Sequence, residues 1–344
     1  MTRRIAVLGA GANGASIGAD LTRAGHDVVL IDQWPAHVEA MRARGVRIEM
    51  PDETIEVPVR AHHLCDLATF TRPFDIVLLV FKTYDTRWAC HLIRPHLKDD
   101  GLLAGVQNGM TTDIIAEVVG AERTIGGVIE ISSMMFEPGI VMRHSPPGRS
   151  WFAVGGIDPA TRGREAEIAD LLACSGAAEI VGDIRATKWM KLVSNATTLV
   201  TTALLGLPMQ EAAGLAAMRG LMLRSGQEAL DTGAALGHEA LPIFGLTGDD
   251  VRRSNRLVET LLDTLLSGFV RPETKTTVLQ DWIKGRHSEA GDLNGLVAAE
   301  ARRLGRPAPV NEAVTELARR IERGEIEPGP ANLDLLREMI GRGG

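Results

Sequence analysis

Short apolar runs that end in glycine or polar turns alternate with amphipathic stretches through the first half of the chain, whereas the second half carries helical spacing alone. Ile5-Ala6-Val7-Leu8 opens the pattern as a buried strand, Gly9-Ala10-Gly11-Ala12-Asn13-Gly14 turns the chain, and a helix-forming stretch follows to Ala24. Gly25 closes that helix, and Asp27-Val28-Val29-Leu30-Ile31 reads as a second buried strand with Asp32 at its tip. Residues 35–44 have helical spacing, and the alternating stretches 46–50 and 54–57 are a strand pair expected to extend the sheet or cover its edge. Phe74 to Phe81 is a near-continuous apolar run, as in a parallel strand buried on both faces. A helix over 85–97 and a strand over 101–106 lead into Gln107-Asn108-Gly109-Met110, with a helix over 112–119 beyond. Strands over 124–131, 140–143 and 151–154, separated by turn residues, read as a meander added to the parallel sheet. A helix over 162–173 and a strand over 178–181 complete the alternating half.

From Asp183 onward the alternation stops. Helices are expected over 186–205, 210–236, 248–266 and 288–304, most of them closed by glycine or proline, and the final residues 341–344 are expected to fray. The pattern predicts an α/β chain: a Rossmann-type doubly wound sheet over 1–183, followed by an all-helical domain over 184–344. A length of 344 residues fits two domains.

Composition removes several function classes. Net charge −7, with Lys and Arg interspersed among acids, lacks a nucleic-acid footprint. No apolar run approaches membrane-spanning length, and Met1-Thr2-Arg3-Arg4 leads at once into the first strand, so a cytoplasmic protein without a membrane partner is expected. Cys65, Cys90 and Cys174 are scattered and read as reduced thiols. His62-His63 with Cys65 matches no usual zinc spacing; these read as surface-loop residues, and no metal site is expected.

The candidate chemistry lies at the strand ends and in two helical segments. Gly9, Gly11 and Gly14, with Asn13 in the same turn, form a phosphate cradle: a tight turn, a close backbone approach and close helix packing, with the helix N-terminus facing negative charge. Asp32 follows at the distance where a carboxylate accepts from ribose hydroxyls and repels a 2′-phosphate, which favours NAD(H) over NADP(H). Lys82 ends the third buried strand, facing cofactor or substrate unless it is a solvated loop lysine. Asn108 either holds a nicotinamide ribose or serves an ordinary Asn-Gly turn. Lys191 and Asn195 are four apart and share a helical face; a lysine in so apolar a helix needs a partner, or a place at the helix margin with its head in water. Ser288 is a plausible N-cap that puts Glu289 in a first helical turn, a placement that capping alone explains.

Together these features resemble the ketopantoate reductase (2-dehydropantoate 2-reductase) family over nearly the whole length. The resemblance is carried by Gly9, Gly11 and Gly14, Lys82, Asn108-Gly109-Met110, the Lys191 to Asn195 helix, Leu279-Gln280-Asp281, Gly285-Arg286, Ser288-Glu289 and Asn294-Gly295. It implies a Rossmann domain and a helical domain with the active site in the cleft between them. It also implies roles: Lys191 as the general acid protonating a nascent alkoxide, Glu289 bonded to substrate, and Asn195 orienting substrate and lysine. Thr277 would occupy the place of a hydroxyl that holds the substrate carboxylate, and Asn108 and Lys82 would line the cofactor side. Hydride addition to a 2-keto group builds charge on oxygen, which a preorganised ammonium both stabilises and neutralises.

Two departures from the family pattern bear on specificity. The familiar enzymes prefer NADPH and often carry a basic residue after the second strand, where this chain has Asp32-Gln33-Trp34; NAD(H) is therefore preferred, with NADP(H) left open. A second asparagine eight residues beyond the lysine is replaced by Leu199. The expected partner is a small 2-keto or 2-hydroxy acid. Beside ketopantoate reduction stands an NAD-dependent dehydrogenase of another branched or aromatic D-2-hydroxy acid and, from a different class, a dinucleotide-binding sensor without catalysis. A homodimer through the helical domain is one assembly open to such a chain.

Overall fold

The computed structural model describes residues 3–253 and 256–342, and the chain forms two compact units, Met1–Arg185 and Ala186–Gly344. In the first unit, strands β1 (Arg4–Leu8), β2 (Asp27–Asp32), β3 (Val46–Glu49), β4 (Thr54–Val57), β5 (Ala61–His63), β6 (Phe74–Leu79), β7 (Leu97–Val106) and β8 (Thr124–Glu130) are followed by β9 (Ser133–Glu137), β10 (Ile140–Arg143), β11 (Trp151–Gly156) and β12 (Ala177–Ile180). Interleaved are α1 (Ala12–Arg23), α2 (Pro35–Arg44), α3 (Thr86–Ile93), α4 (Thr112–Val119) and α5 (Glu165–Leu172). Eight strands form one sheet in the order β12-β11-β8-β7-β6-β1-β2-β5. From β5 to β8 all pairs are parallel, β11 runs antiparallel to β8, and β12 is parallel to β11. The chain winds outward from β1 in both directions, so β1 and β6 flank the switch point where open α/β sheets bind ligands.

Alternation along each strand sets the two cores. Ile5, Val7, Val28, Leu30, Ile76 and Leu78 bury on one face, while Ala6, Leu8, Val29, Ile31, Val77 and Leu79 bury on the other with Ala89, Ile93 and Ile115 of α3 and α4. Each Val, Leu and Ile among them contributes about 1.5–3 kcal/mol of burial. Gly18 lets α1 lie close on this sheet: a Cβ there would stand 2.8 Å from the Leu30 side chain.

The stretches 46–50 and 54–57 do not extend this sheet. They pair with each other and with a hairpin later in the chain as a second sheet, β4-β3-β10-β9, in which β10 runs parallel to β3. The expected meander is therefore split, since β10 belongs to the second sheet and only β8 and β11 pair directly. Sequence alternation reports burial, not partner, and both assignments satisfy it. This second sheet packs on α1. There Arg143, fully buried, donates to Asp20 Oδ2 (2.6 Å), Ser175 O (2.6 Å), Ser145 O (2.8 Å) and Ser150 Oγ (3.1 Å). His62 and His63, expected in a surface loop, instead end the edge strand β5; no metal-holding cluster occurs among the described residues.

The second unit is helical: α6 (Ile184–Ala203, beginning just before the unit), α7 (Met209–Gly214), α8 (Ala216–Ala235), α9 (Gly248–Arg253), α10 (Leu257–Gly268), α11 (Thr277–Ile283), α12 (Asn294–Arg303), α13 (Pro309–Glu322) and α14 (Asn332–Arg342). The expected helix over 210–236 is broken at Leu215, which is extended (ψ 110°). Over 248–266 the described residues form α9 and α10, and residues 254 and 255 lie outside the described residues. The stretch 288–304 begins instead with a 3₁₀ turn, Glu289–Gly291, and α12 starts only at Asn294. Of the residues expected to fray, 341 and 342 end α14, and 343 and 344 lie outside the described residues. Among the described residues no helix is long and apolar enough to cross a membrane.

Candidate functional site

In the first unit, the end of β1 and the start of α1 build a cradle. Gly9 has φ +99°, and a Cβ there would stand 2.6 Å from Phe81 N, so the turn needs glycine for both conformation and space. Gly14 is fixed by a closer contact, 1.9 Å from its ideal Cβ to Gly9 O. Gly11, the N-cap of α1, differs: nothing lies within 4 Å of the Cβ position, so backbone borders open space there. No side chain caps α1 and no acidic residue occupies its first turn, which leaves the positive end of the helix dipole for an anion. A dinucleotide pyrophosphate fits this arrangement. Asn13 is held by the second sheet, its Oδ1 accepting from Ser133 Oγ at 2.6 Å.

Asp32 ends β2 with its side chain 6% exposed, and Oδ1 accepts from the Trp34 N–H (2.8 Å), an Asx turn that fixes its carboxylate at the strand tip. Gln33 Nε2 lies 3.5 Å from Asp85 Oδ2. Past β6, half-buried Lys82 precedes the 3₁₀ turn Thr83–Asp85. Sequence reasoning passed over Gln107, whose buried amide donates to Phe81 O (2.7 Å) and Thr86 Oγ1 (3.1 Å) and lies 3.4 Å from Lys82 O. It ties the loop carrying Lys82 to the end of β7. Its signal was a polar residue directly after a buried strand. Asn108 follows it, half-buried, before Gly109 at φ +65°.

In the second unit, α6 carries Lys188, Lys191 and Asn195 at i, i+3 and i+7, one helical face, and all three are buried, at 2%, 6% and 1% exposure. Lys191 is not at a solvated helix margin. Its Nζ stands 5.0 Å from the centroid of the Phe244 ring, and Phe244 is the non-glycine residue with positive φ (60°) among the described residues. Lys188 was missed in the sequence, although its place one turn before Lys191 was a usable signal. Burial lowers its pKa from 10.5 to about 7, while the charge of Glu289 raises it in opposition. Glu289 and Lys188 are thus within electrostatic reach of each other.

Glu289 is itself 4% exposed and opens its 3₁₀ turn, capped by Ser288, whose Oγ accepts from the Ala290 N–H and donates to Glu322 Oε1 (2.6 Å). The turn is thereby anchored to α13. The Asn195 turn is held from two sides, because Ala196 O accepts from Ser225 Oγ of α8 (2.9 Å) and Asn294 Nδ2 of α12 (3.1 Å). One turn on, Thr276 Oγ1 donates to Leu199 O (2.9 Å) and caps α11, whose first residue is Thr277. The Thr277 hydroxyl oxygen is shielded from solvent and has no hydrogen-bond partner. A buried hydroxyl left so costs about 1–3 kcal/mol until something bonds it.

The chain matches the models described as ketopantoate reductase PanE/ApbA over residues 5–156 and ketopantoate reductase PanE/ApbA C terminal over residues 183–322. It is 29% identical to a 2-dehydropantoate 2-reductase of Mesorhizobium japonicum, across 93% of this chain and 99% of that one. A PanE/ApbA family ketopantoate reductase from Ralstonia eutropha superposes with TM-score 0.77 at 26% identity, covering 94% of this chain and 99% of that chain. D-mandelate dehydrogenase, solved with NADH and anilino(oxo)acetate, has the same fold at TM-score 0.81 and 21% identity, across 93% of this chain and 99% of that one. The chain belongs to the ketopantoate reductase family, and is an oxidoreductase of that kind using a nicotinamide cofactor.

Proposed function

We propose that this member of the ketopantoate reductase family reduces a 2-keto acid, ketopantoate first among candidates, with NADH as the preferred donor and Lys191 as the proton source. The supporting observation is the buried face of α6, which holds an ammonium, a carboxamide and a second ammonium in an otherwise apolar helix. Burying such groups costs several kcal/mol each, and a helix that needed only to pack would not carry them. The bound nicotinamide supplies hydride. Lys191 stabilises the charge that hydride addition builds on the keto oxygen and then protonates it. Asn195, on the same face, orients the keto group and the lysine. Glu289 accepts from a substrate hydroxyl, and the unsatisfied Thr277 hydroxyl donates to the substrate carboxylate, gaining the hydrogen bond it lacks.

Gly9, Gly11, Asn13 and Gly14 hold the pyrophosphate, Asp32 the adenine ribose, and Lys82 and Asn108 the nicotinamide side. The carboxylate of Asp32, already accepting one backbone N–H, takes ribose hydroxyls as further donors and repels a 2′-phosphate. This division of labour makes the sheet unit the dinucleotide-binding part and the helical unit the substrate and catalytic part. Assembly as a homodimer through the helical unit belongs to the same reading.

Leu199 favours a second substrate class. An apolar side chain at that place suits a 2-keto acid without the hydroxyl that ketopantoate carries, branched or aromatic. Steady-state rates with ketopantoate, 2-ketoisovalerate and benzoylformate, each with NADH and NADPH, test both. Ketopantoate turnover negligible beside another 2-keto acid transfers the assignment to that class, and a chain that binds NADH yet reduces none of them is a sensor.

A further inference from the structure

His37 is fully buried in α2, yet both of its ring nitrogens are engaged with backbone that is distant in sequence. The Gly139 N–H, in the β9–β10 turn, donates to Nδ1 at 2.9 Å. A backbone N–H only donates, so Nδ1 carries the lone pair and the ring hydrogen sits on Nε2. Nε2 lies 2.8 Å from Ala10 O and therefore donates to it. Ala10 is the residue between the first two glycines of the cradle. Its carbonyl and the Gly11 N–H belong to one peptide unit, planar and trans, in which the two bonds point in opposite directions. Holding the carbonyl toward α2 aims the Gly11 N–H away from α2, at the residue whose missing Cβ leaves open space. Were that peptide to rotate, it would present a carbonyl oxygen where an anion is to lie.

We propose that His37 is a positioning residue of the dinucleotide site, a latch that keeps the Ala10–Gly11 peptide turned so that the Gly11 N–H donates to the pyrophosphate. Gly139 sets the latch by fixing the imidazole tautomer. The β9–β10 hairpin thus serves the cradle twice, through Gly139 on His37 and through Ser133 on Asn13. The latch rests on the reading that this turn binds a dinucleotide.

Calorimetric titration of the full chain with ADP-ribose, NADH and adenosine tests it in two variants. His37→Gln keeps a donor near the Nε2 position, whereas His37→Asn keeps a group near Nδ1 and withdraws the donor to Ala10. For His37→Asn, Kd for ADP-ribose and NADH rises about tenfold, the size of one hydrogen bond to a charged group, with adenosine within about twofold. His37→Gln stays within about threefold of the parent for all ligands, and both variants keep the parent far-ultraviolet spectrum. Equal losses in the two variants, an equal loss for adenosine, or no loss for ADP-ribose in His37→Asn overturns the latch. A parent chain that binds ADP-ribose no better than adenosine overturns the dinucleotide reading itself, and the latch with it.

Discussion

Lys188 gives the sharpest prediction, because its burial has a consequence away from catalysis. Its pKa lies at about 7 in the fold against 10.5 for an ordinary lysine, burial being the cause and Glu289 the opposing charge. Between these values the unfolded chain binds a proton that the folded chain does not, so stability rises with pH through that window. Below pH 7 the folded lysine is protonated too, and the whole penalty is present; above 10.5 it has gone. At 1.36 kcal/mol per pH unit, the penalty is about 4 kcal/mol at pH 7 and about 2 kcal/mol at pH 9, so raising the pH over that interval returns about 2 kcal/mol.

The perturbation is Lys188→Met, which keeps most of the volume and removes the charge. Glu289 then loses its counter-charge, so the reference is the double variant Lys188→Met with Glu289→Gln, in which neither group titrates. Urea unfolding at pH 7 and pH 9, followed by far-ultraviolet ellipticity, yields the change in stability for parent and double variant. The parent gains about 2 kcal/mol more than the double variant between these pH values. A difference below about 0.5 kcal/mol would mean that burial on α6 does not depress the pKa of Lys188.

Three further outcomes follow from the site. Lys191→Ala lowers turnover by about two to four orders of magnitude with NADH affinity nearly intact, measured by steady-state rates and by titration; a loss under about tenfold removes it as proton donor. Asp32→Ala with Gln33→Arg raises the NADPH to NADH ratio of kcat/KM at least about tenfold, less any share that Asp85, 3.5 Å from Gln33, takes by pairing with the new arginine; an unchanged ratio takes Asp32 out of the ribose site. Gly14→Ala drives a Cβ into Gly9 O at 1.9 Å, backbone against backbone, and is expected to abolish detectable NADH binding in a fluorescence titration and to lower the melting temperature. Parent-like affinity in that variant would show that the turn is more plastic than its contacts imply.

Much of this architecture was legible in the sequence where one signal had one meaning. The apolar runs at Ile5–Leu8 and Phe74–Leu79 could only be buried parallel strands once glycine turns and helices followed them, and the end of alternation at Asp183 announced the helical half. Pairing was less legible. The strand over 46–50 and the hairpin around Gly139 lie about ninety residues apart and read equally well as part of the main sheet. Nothing local records that β10 lies parallel to β3, a choice set by tertiary packing on α1. Leu215 was hidden because its helix-forming side chain does not mark a break that depends on its backbone angle. For Glu289 the local rule of capping was correct in kind, since Ser288 does cap a turn, but the turn is 3₁₀ and the carboxylate is buried. The burial of α6 was the least visible feature, because Lys188 and Lys191 are residues normally found in water.

The interior of the helical unit holds a connected network of buried polar groups. Asn311 donates to Ser225 O and Glu228 Oε2, Glu228 accepts from the Val310 and Asn311 N–H groups, and Asn294 donates to Asn311 Oδ1 and to Ala196 O. Burial raises the pKa of Glu228 while these donors pull it back, so the network steadies its own carboxyl. Its members bond one another across α8, α12 and α13 and grip α6 beside Asn195. The same helix carries Lys188 and Lys191. They lie one turn apart on a single buried face, where an ammonium is expensive to desolvate. Leucines there would make a more stable helix, so the lysines oppose stability, the pattern expected where a side chain is kept for chemistry. The network acts on the same helix in the other sense, holding the Ala196 carbonyl from two sides through Ser225 and Asn294.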